Sequence, residues 1–291
     1  MKVSVIIPTK NRISLLQRAV DSVLIQLNDH DEIIIVDDAS DFDVSSLFLD
    51  SRIKVIRNSF SKGGAVSRNI GVAESNNECI MFLDDDDSWE NGKVKKQLSL
   101  LKNKETVIVF SGKKVVWDTD LDKPFRNIKP GSEEYSLSDI LSCNHIGSTS
   151  SVAIRKDDFI KVNGFDPELP CFQDYDLWIR LLTLGTAVYD GENSVIYTVF
   201  RKKGKQISRS NDGRHEIAAS YLLKKYSPGL NDKDIKKFKS NLYQLVSKAL
   251  NVGKPLKSLQ FSIVSFAIRP SLRALKFIFG SCLALVGYKH G

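Results

Sequence analysis

Four consecutive carboxylates, Asp84-Asp85-Asp86-Asp87, follow the apolar run Ile80-Met81-Phe82-Leu83 and precede Ser88-Trp89. Adjacent carboxylates repel one another, and their protonation equilibria shift upward unless a cation is near. Where a chain leaves a strand, alternate members can converge on one ion. Hard oxygen ligands with positions left open for a phosphate suit Mn²⁺ or Mg²⁺. The competing reading is an acidic turn that caps the next helix. A second acidic pair, Asp37-Asp38, ends the run Ile33-Ile34-Ile35-Val36. A carboxylate there can accept from a ribose hydroxyl or a base N–H, or simply form a turn. Pro8-Thr9-Lys10-Asn11-Arg12 ends the first apolar run, and Gly63-Gly64-Ala65-Val66-Ser67-Arg68 opens a helical stretch that carries a cation. It has neither the Walker spacing nor G-x-G-x-x-G, so as a phosphate loop it is weak. Asp174 lies in Gln173-Asp174-Tyr175-Asp176-Leu177-Trp178, where a helix begins. It is either an ordinary first-turn acid or a base. Lys202, Lys203, Lys205 and Arg209 crowd one Gly-containing loop. They are candidates to close over a diphosphate, with a solvated basic loop as the alternative. His145 and His215 lack metal-ligand spacing with a partner and stay unassigned. No G-x-S-x-G, H-E-x-x-H or Cys-His pattern supports a hydrolase.

Short apolar runs alternating with helical stretches must position these groups. The runs are 3–7, 32–36, 53–57, 80–83 and 106–110, with further strands expected over 148–155 and 195–200. Between them, Leu15, Leu16, Ala19, Val20, Val23, Leu24 and Leu27 recur at helical spacing behind Ser14, an expected N-cap. Ser88 is expected to cap a helix carrying Val94, Leu98 and Leu101, and a further helix is expected over 174–184. This alternation implies βαβ units and a mostly parallel sheet. The unbroken runs fit strands covered on both faces. Ligands of such sheets bind outside the carboxyl ends of the strands, where the polar groups above gather. Residues 118–147 are polar and read as an insertion or acceptor-side loop.

The chain has 291 residues with 26% charged and 42% apolar side chains, values of a globular protein with a core that needs no staples. Cys79, Cys143, Cys171 and Cys282 are far apart with no C-x-x-C, so neither a disulfide framework nor a zinc knuckle is indicated. The net charge is +7, but residues after Asp234 carry ten Lys or Arg and no acid, leaving 32 basic against 35 acidic residues elsewhere. The first run is too short for a signal peptide and ends in Pro8, so a cytoplasmic location is expected.

Taken together, VSVIIPTKNR, IIIVDDAS, GGAVSRNIG, MFLDDDDSW and GFDPELPCFQDYDLWIRL resemble, in order and spacing, the inverting glycosyltransferases of family 2 of the bacterial surface-polysaccharide type, which have the GT-A fold. The likeness spans roughly residues 1–210. It implies an α/β GT-A domain over 1–215, with a nucleotide-sugar half at 1–117 and an acceptor half at 118–215, followed by a helical region at 216–291. It implies a nucleotide-sugar donor, usually a UDP-sugar. Pro8, Thr9, Asn11 and Arg12 would line the nucleoside pocket, Asp38 would contact base or ribose, and Arg68 would lie near base or phosphates. Asp84, Asp85 and Asp86 fall on the Asp-x-Asp region, with Asp86 and Asp84 as ligands of Mn²⁺ or Mg²⁺. Asp174 falls on the catalytic base. Gln173 stands where relatives often have Glu, and Arg201-Lys202-Lys203-Gly204-Lys205 stands where some place a metal-proximal His. Gln206 and Arg209 are followed by Ser210 rather than the Trp of processive synthases, so one sugar per encounter is expected. Two rivals share parts of this pattern. A sugar-phosphate nucleotidyltransferase would need glycines after the first strand, and a non-catalytic sugar-nucleotide-binding protein would not need Asp86 and Asp174.

The apolar stretches 256–268 and 271–287, split by Arg269-Pro270, are too short for confident transmembrane helices. Their basic flanks suit helices on an anionic membrane surface, peripheral at the inner face of the cell membrane, where a polyprenyl-diphosphate-linked glycan acceptor would reside. Packing against the rest of the chain is the alternative. Nucleic acid is not an expected partner, because Phe261, Phe266, Phe277 and Phe279 exceed what phosphate contact needs.

Overall fold

A computed structural model describes residues 1–201 and 212–286. In chain order the elements are β1 (Val3–Thr9), α1 (Ile13–Leu24), β2 (Glu32–Asp37), β3 (Ile53–Arg57), α2 (Gly64–Ala73), β4 (Cys79–Phe82), β5 (Ser88–Trp89), α3 (Lys93–Leu100), β6 (Thr106–Phe110), β7 (Lys113–Trp117), β8 (Arg126–Ile128), β9 (Glu134–Tyr135), α4 (Leu137–Ser142), β10 (Val152–Arg155), α5 (Lys156–Lys161), α6 (Gln173–Leu181), β11 (Thr186–Tyr189), β12 (Val195–Val199), α7 (Arg214–Tyr226), α8 (Asp232–Leu250), α9 (Pro255–Ile268) and α10 (Leu272–Leu285).

Two compact units result. The first comprises Met1–Leu137, His145–Pro167 and Asp174–Arg201. The second comprises Ser138–Asn144, Glu168–Gln173 and the described part of Lys202–Gly291. In the first unit an eight-stranded sheet runs β3-β2-β1-β4-β10-β6-β11-β9. Its β3-β2-β1-β4 half is parallel, β10 is antiparallel to both β4 and β6, and β11 returns parallel to β6. The chain moves outward from β1 through β2 to β3, then crosses back to place β4 on the other side of β1. The crevice at the carboxyl ends of β1 and β4 is therefore a topological switch point. A smaller sheet, β5-β12-β7-β8, adds a second layer of strands.

The first strand shows why its run is unbroken. Val3, Val5 and Ile7 pack with Leu16, Ala19, Val20 and Val23 of α1. Ile6 points to the other face, because side chains alternate. There it lies against α2 at Gly71, where an added Cβ would sit 2.4 Å from Ile6 Cγ2 and 3.2 Å from Val36 Cγ2. Gly71→Ala should therefore destabilise the protein. Overpacking costs about 1–3 kcal/mol, and the better helix former returns about 1 kcal/mol. Urea denaturation should show a lower midpoint; a raised one would contradict this packing.

Three sequence expectations change. Helix α1 is capped at Arg12 with no side-chain acceptor, and Ser14 lies inside the first turn. Asn11 already turns the chain at φ 57°. Ser88 does not cap a helix. Ser88 and Trp89 pair with Ile196 and Val195 of β12, and α3 starts only after Gly92 in the left-handed region. Residues 118–147 contain β8, β9 and α4 rather than loop alone. Strands β7 and β11 also escaped the sequence. Lys113-Lys114 and the half-exposed Thr186 and Val188 hide the apolar signal.

Candidate active site

The carboxyl end of β4 turns at once into the acidic run, and each acid takes a different partner. Asp84 Oδ1 pairs with the Arg68 guanidinium and accepts from Thr149 Oγ1 at 3.1 Å. Asp85 accepts from Thr9 Oγ1 at 2.8 Å and from Arg12 Nη1 at 2.9 Å. Asp86 accepts from the same Arg12 nitrogen at 2.8 Å. Asp87 is fully buried and accepts from Ser150 Oγ at 2.7 Å and from the Thr198 amide at 2.9 Å. Arg18 donates to the Asp86 carbonyl and to Thr198 Oγ1, both at 2.7 Å.

Burial, then repulsion from Asp84 and Asp85, pushes Asp86 up to about 7, with Arg12 pulling the other way. Asp85 is raised chiefly by burial, against Arg12 and Thr9. Asp87 is raised well above the carboxylate range by burial and by Asp86 and Asp84. One oxygen each of Asp84, Asp86 and Asp87 lies within 4.8 Å of the others. Among the described residues, the four carboxylates outnumber the three guanidiniums of Arg12, Arg18 and Arg68 that touch the run. Hard oxygen donors with surplus negative charge fit a divalent cation of the Mn²⁺ or Mg²⁺ type. Sequence reasoning stopped at Asp84 and Asp86; Asp87 joins the set because the turn returns it beneath them.

Neighbouring strand ends are tied to this turn. Asn11 exchanges hydrogen bonds with Asp41, Nδ2 to Oδ2 at 2.9 Å and the Asp41 amide to Oδ1 at 2.8 Å, and its own amide donates to Ser40 Oγ at 3.0 Å. This clamps the loop after β1 to the loop after β2. Pro8 is half-buried opposite Val36. Asp38 accepts from Asn58 Nδ2 (2.9 Å), Ser61 Oγ (2.7 Å) and the Lys62 and Gly63 amides (2.7 and 2.9 Å). Burial works to raise Asp38, yet these four bonds hold it below the usual carboxylate range. Its observed role is to anchor the loop that opens α2. Asp38→Ala would leave several of these donors short of partners, at about 1–3 kcal/mol for each buried one. A lower melting temperature with faster proteolysis around residue 60 is expected; unchanged stability would deny the anchor.

Helix α2 connects that loop to the segment before α6. Asn69 donates from Nδ2 to the Phe165 carbonyl at 2.8 Å and accepts from the Phe165 amide at 2.9 Å. Arg68 lies 5.5 Å from the Phe165 ring centre. Gly164, at φ +60°, cannot carry a Cβ, which would meet Asn69 Oδ1 at 2.7 Å. Asp174 then sits half-buried in the first turn of α6. Its carboxyl is raised by burial, lowered by the Tyr175 amide, Lys113 and Arg68, and raised again by Asp84. It is thus within electrostatic reach of the acidic turn. Lys113, which the sequence did not single out, donates to Ser148 Oγ at 2.8 Å and lies 5.0 Å from the Tyr197 ring centre.

Of the residues singled out from the sequence, Thr9, Arg12, Arg68, Asp84, Asp85 and Asp86 form one bonded network, and Asp174 is coupled to it through charge. Asn11 and Asp38 shape the adjoining loops. Arg18, Thr149, Ser150 and Thr198 joined the network without a sequence signal of their own. Lys202, Lys203, Lys205 and Arg209 lie outside the described residues.

This parallel half-sheet, with an acidic turn at its switch point, is the architecture of GT-A glycosyltransferases. The chain aligns with the crystal structure of S. aureus TarS 1-349 in complex with UDP-GlcNAc at a TM-score of 0.65 and 16% identity, covering 97% of this chain and 79% of that one. It aligns with the mannosyltransferase PcManGT from Pyrobaculum calidifontis, in complex with GDP-Man and Mn²⁺, at 0.57 and 17% identity, covering 97% and 80%. The family model Glycosyl transferase family 2 matches residues 4–162, and the chain belongs to that family. A glycosyltransferase of Haemophilus influenzae is 29% identical over 227 residues, 77% of this chain and 76% of the relative. The amylovoran biosynthesis glycosyltransferase AmsB of Erwinia amylovora is 27% identical over 274 residues, 89% and 88% of the two chains. The UDP-Glc:alpha-D-GlcNAc-diphosphoundecaprenol beta-1,3-glucosyltransferase WfaP of Escherichia coli is 28% identical over 225 residues, 76% and 85%.

Proposed function

We propose that this glycosyltransferase moves one sugar from a UDP-sugar to a hydroxyl of a lipid-linked glycan, with inversion at the anomeric carbon, in the assembly of a surface polysaccharide. The observation that carries this reading is the acidic turn at the carboxyl end of β4, held by Arg12 and Arg68, with Asp174 in the first turn of α6 within its electrostatic reach. An inverting transfer is a single displacement. It needs one carboxylate to accept the proton of the attacking hydroxyl, and no second acid. Asp174 takes that role, its raised proton affinity making it a better base than an exposed aspartate.

Asp84 and Asp86, with Asp87 behind them, would hold Mn²⁺ or Mg²⁺. When bound, the ion supplies a Lewis acid for the charge that develops on the leaving diphosphate. Thr9 and Arg12 keep Asp85 turned away from that role, and Arg12 and Arg68 supply further positive charge beside the diphosphate. Pro8, Thr9, Asn11, Arg12 and the loop anchored by Asp38 frame the nucleoside side. The acceptor class is supported by the name of WfaP and the basic, acid-free tail.

The test is a donor screen. The chain is incubated with single nucleotide-sugars and Mn²⁺, and release of the nucleoside diphosphate is followed. One UDP-sugar should be hydrolysed slowly, and faster when a polyprenyl-diphosphate glycan is added. Turnover of a sugar phosphate and UTP to a UDP-sugar, with no transfer, would replace this reading by a nucleotidyltransferase.

A further inference from the structure

Helices α9 and α10 are packed with their polarity largely reversed. In a helix bundle that faces water, apolar stripes turn inward. Here Ser258, Ser262 and Ser265, on one face of α9, are each fully buried. They meet other hydroxyls: Ser262 Oγ lies 2.7 Å from Ser247 Oγ of α8, Ser258 Oγ lies 2.8 Å from Ser281 Oγ of α10, and Ser265 Oγ lies 2.9 Å from Ser240 Oγ of α8. Gln244 Nε2 donates to Ser265 Oγ at 3.1 Å. Phe238, Leu242, Val246 and Leu250 of α8 are buried, but large apolar residues of α9 and α10 point outward. Leu256 is 69% exposed, Ile263 50%, Leu272 81% and Phe279 65%. Along α10 they border a groove of about 740 Å³ lined by Leu272, Leu275, Lys276, Ile278, Phe279 and Cys282.

We propose that α9 and α10 form an in-plane membrane anchor, their outer faces set into the upper acyl region of an anionic bilayer. Three observations select this occupant. Small hydrogen-bonded residues between helices, with apolar residues outside, are the arrangement that suits lipid as solvent, where apolar groups gain nothing by turning inward. Each helix has 14 residues, about 21 Å at 1.5 Å per residue, against a hydrocarbon core of about 30 Å. No helix among the described residues is long and apolar enough to cross a membrane, so the pair lies along the surface. Finally, Lys276 lines that groove, Lys254 and Arg269 flank the two ends of α9, and no acid follows Asp234. A second copy docked on this face would set these cations against their own kind, whereas an anionic headgroup layer complements them. The anchor rests on the lipid-linked-acceptor reading for its use, since such an acceptor is confined to the bilayer.

The test is flotation of the full chain with vesicles of phosphatidylcholine alone and of phosphatidylcholine mixed with phosphatidylglycerol. Wild type should float with the anionic vesicles, less with the neutral ones, and less at high salt. The pair Leu272→Asp and Phe279→Asp changes only exposed positions and should lower partitioning about tenfold or more. Lys276→Glu should weaken binding to anionic vesicles alone. Donor hydrolysis is measured on the same preparations and should not change. Failure of wild type to float, or unchanged flotation of the double variant, overturns the anchor. So does a dimer by light scattering that the double variant dissolves without any vesicle binding. Hydrolysis that persists while flotation fails removes only the anchor. Flotation without hydrolysis of any donor removes the transferase reading and leaves the anchor standing.

Discussion

Asp174→Asn should lower the rate of sugar transfer about 10³-fold, the scale of a lost general base, and leave binding of UDP with Mn²⁺ nearly unchanged. The wild-type rate should fall on the acid side with a midpoint above the ordinary aspartate value of about 3.9, because burial raises this carboxyl and only its ionised form accepts a proton. The residual rate of the variant should lack that limb. Stability separates a catalytic from a structural role. A carboxyl raised in the folded state disfavours folding once ionised: the cost is absent below the unfolded pKa and sets in as pH rises through the folded one. Asp174→Asn should therefore be at least as stable as wild type at neutral pH. Steady-state kinetics and thermal melts across pH would check both, and a variant that transfers sugar at the wild-type rate would sink the base assignment.

Asp86→Asn should show the second large effect, a loss of transfer of about 100-fold or more, since a bound metal contributes several kcal/mol to the stabilisation of a leaving diphosphate. Its signature is a coupling of metal, pH and stability. Asp86 stands at about 7 without a cation, pushed there by burial and by Asp84 and Asp85. Metal-free wild type should lose stability as pH rises from about 4, the unfolded value, to about 7. Above that window Mn²⁺ should raise its melting temperature. Asp86→Asn should flatten the pH slope and abolish most of the response to Mn²⁺. Melting curves with EDTA and with Mn²⁺ at several pH values decide it. An equal Mn²⁺ shift in both proteins would place the ion elsewhere.

The strands that carry the acidic turn were legible because they are buried on both faces. Val3 to Ile7 and Ile33 to Val36 are apolar at every face-pointing position except Ser4, so no alternation was needed to find them. Strands β7 and β11 each have residues that are only half-buried, and their mixed sequences resemble loops. Helix starts were misread for a related reason. Ser14 and Ser88 have capping side chains, but a cap depends on the backbone already being turned. Asn11 and Gly92, both at positive φ, turn it elsewhere.

From the sequence alone came the order of the strands and helices from β1 to β4, the acidic turn at a strand end, Asp174 at a helix start, and the segregation of basic residues into an acid-free tail. These are properties of local pattern and of counting. Only the tertiary structure decided which carboxylate faces what. Asp85 goes to Thr9 and Arg12, Asp87 goes to Ser150 and Thr198, and Asp38 goes to the loop between β3 and α2. Those partners are distant in sequence and meet because β1, β4, β10 and β12 bring their ends together, which no local spacing encodes. The tail illustrates the same division. Its serines and leucines were visible in the sequence, but which of them face inward depends on three helices packing at once. That packing buries hydroxyls that satisfy one another and leaves large apolar residues of α9 and α10 outside.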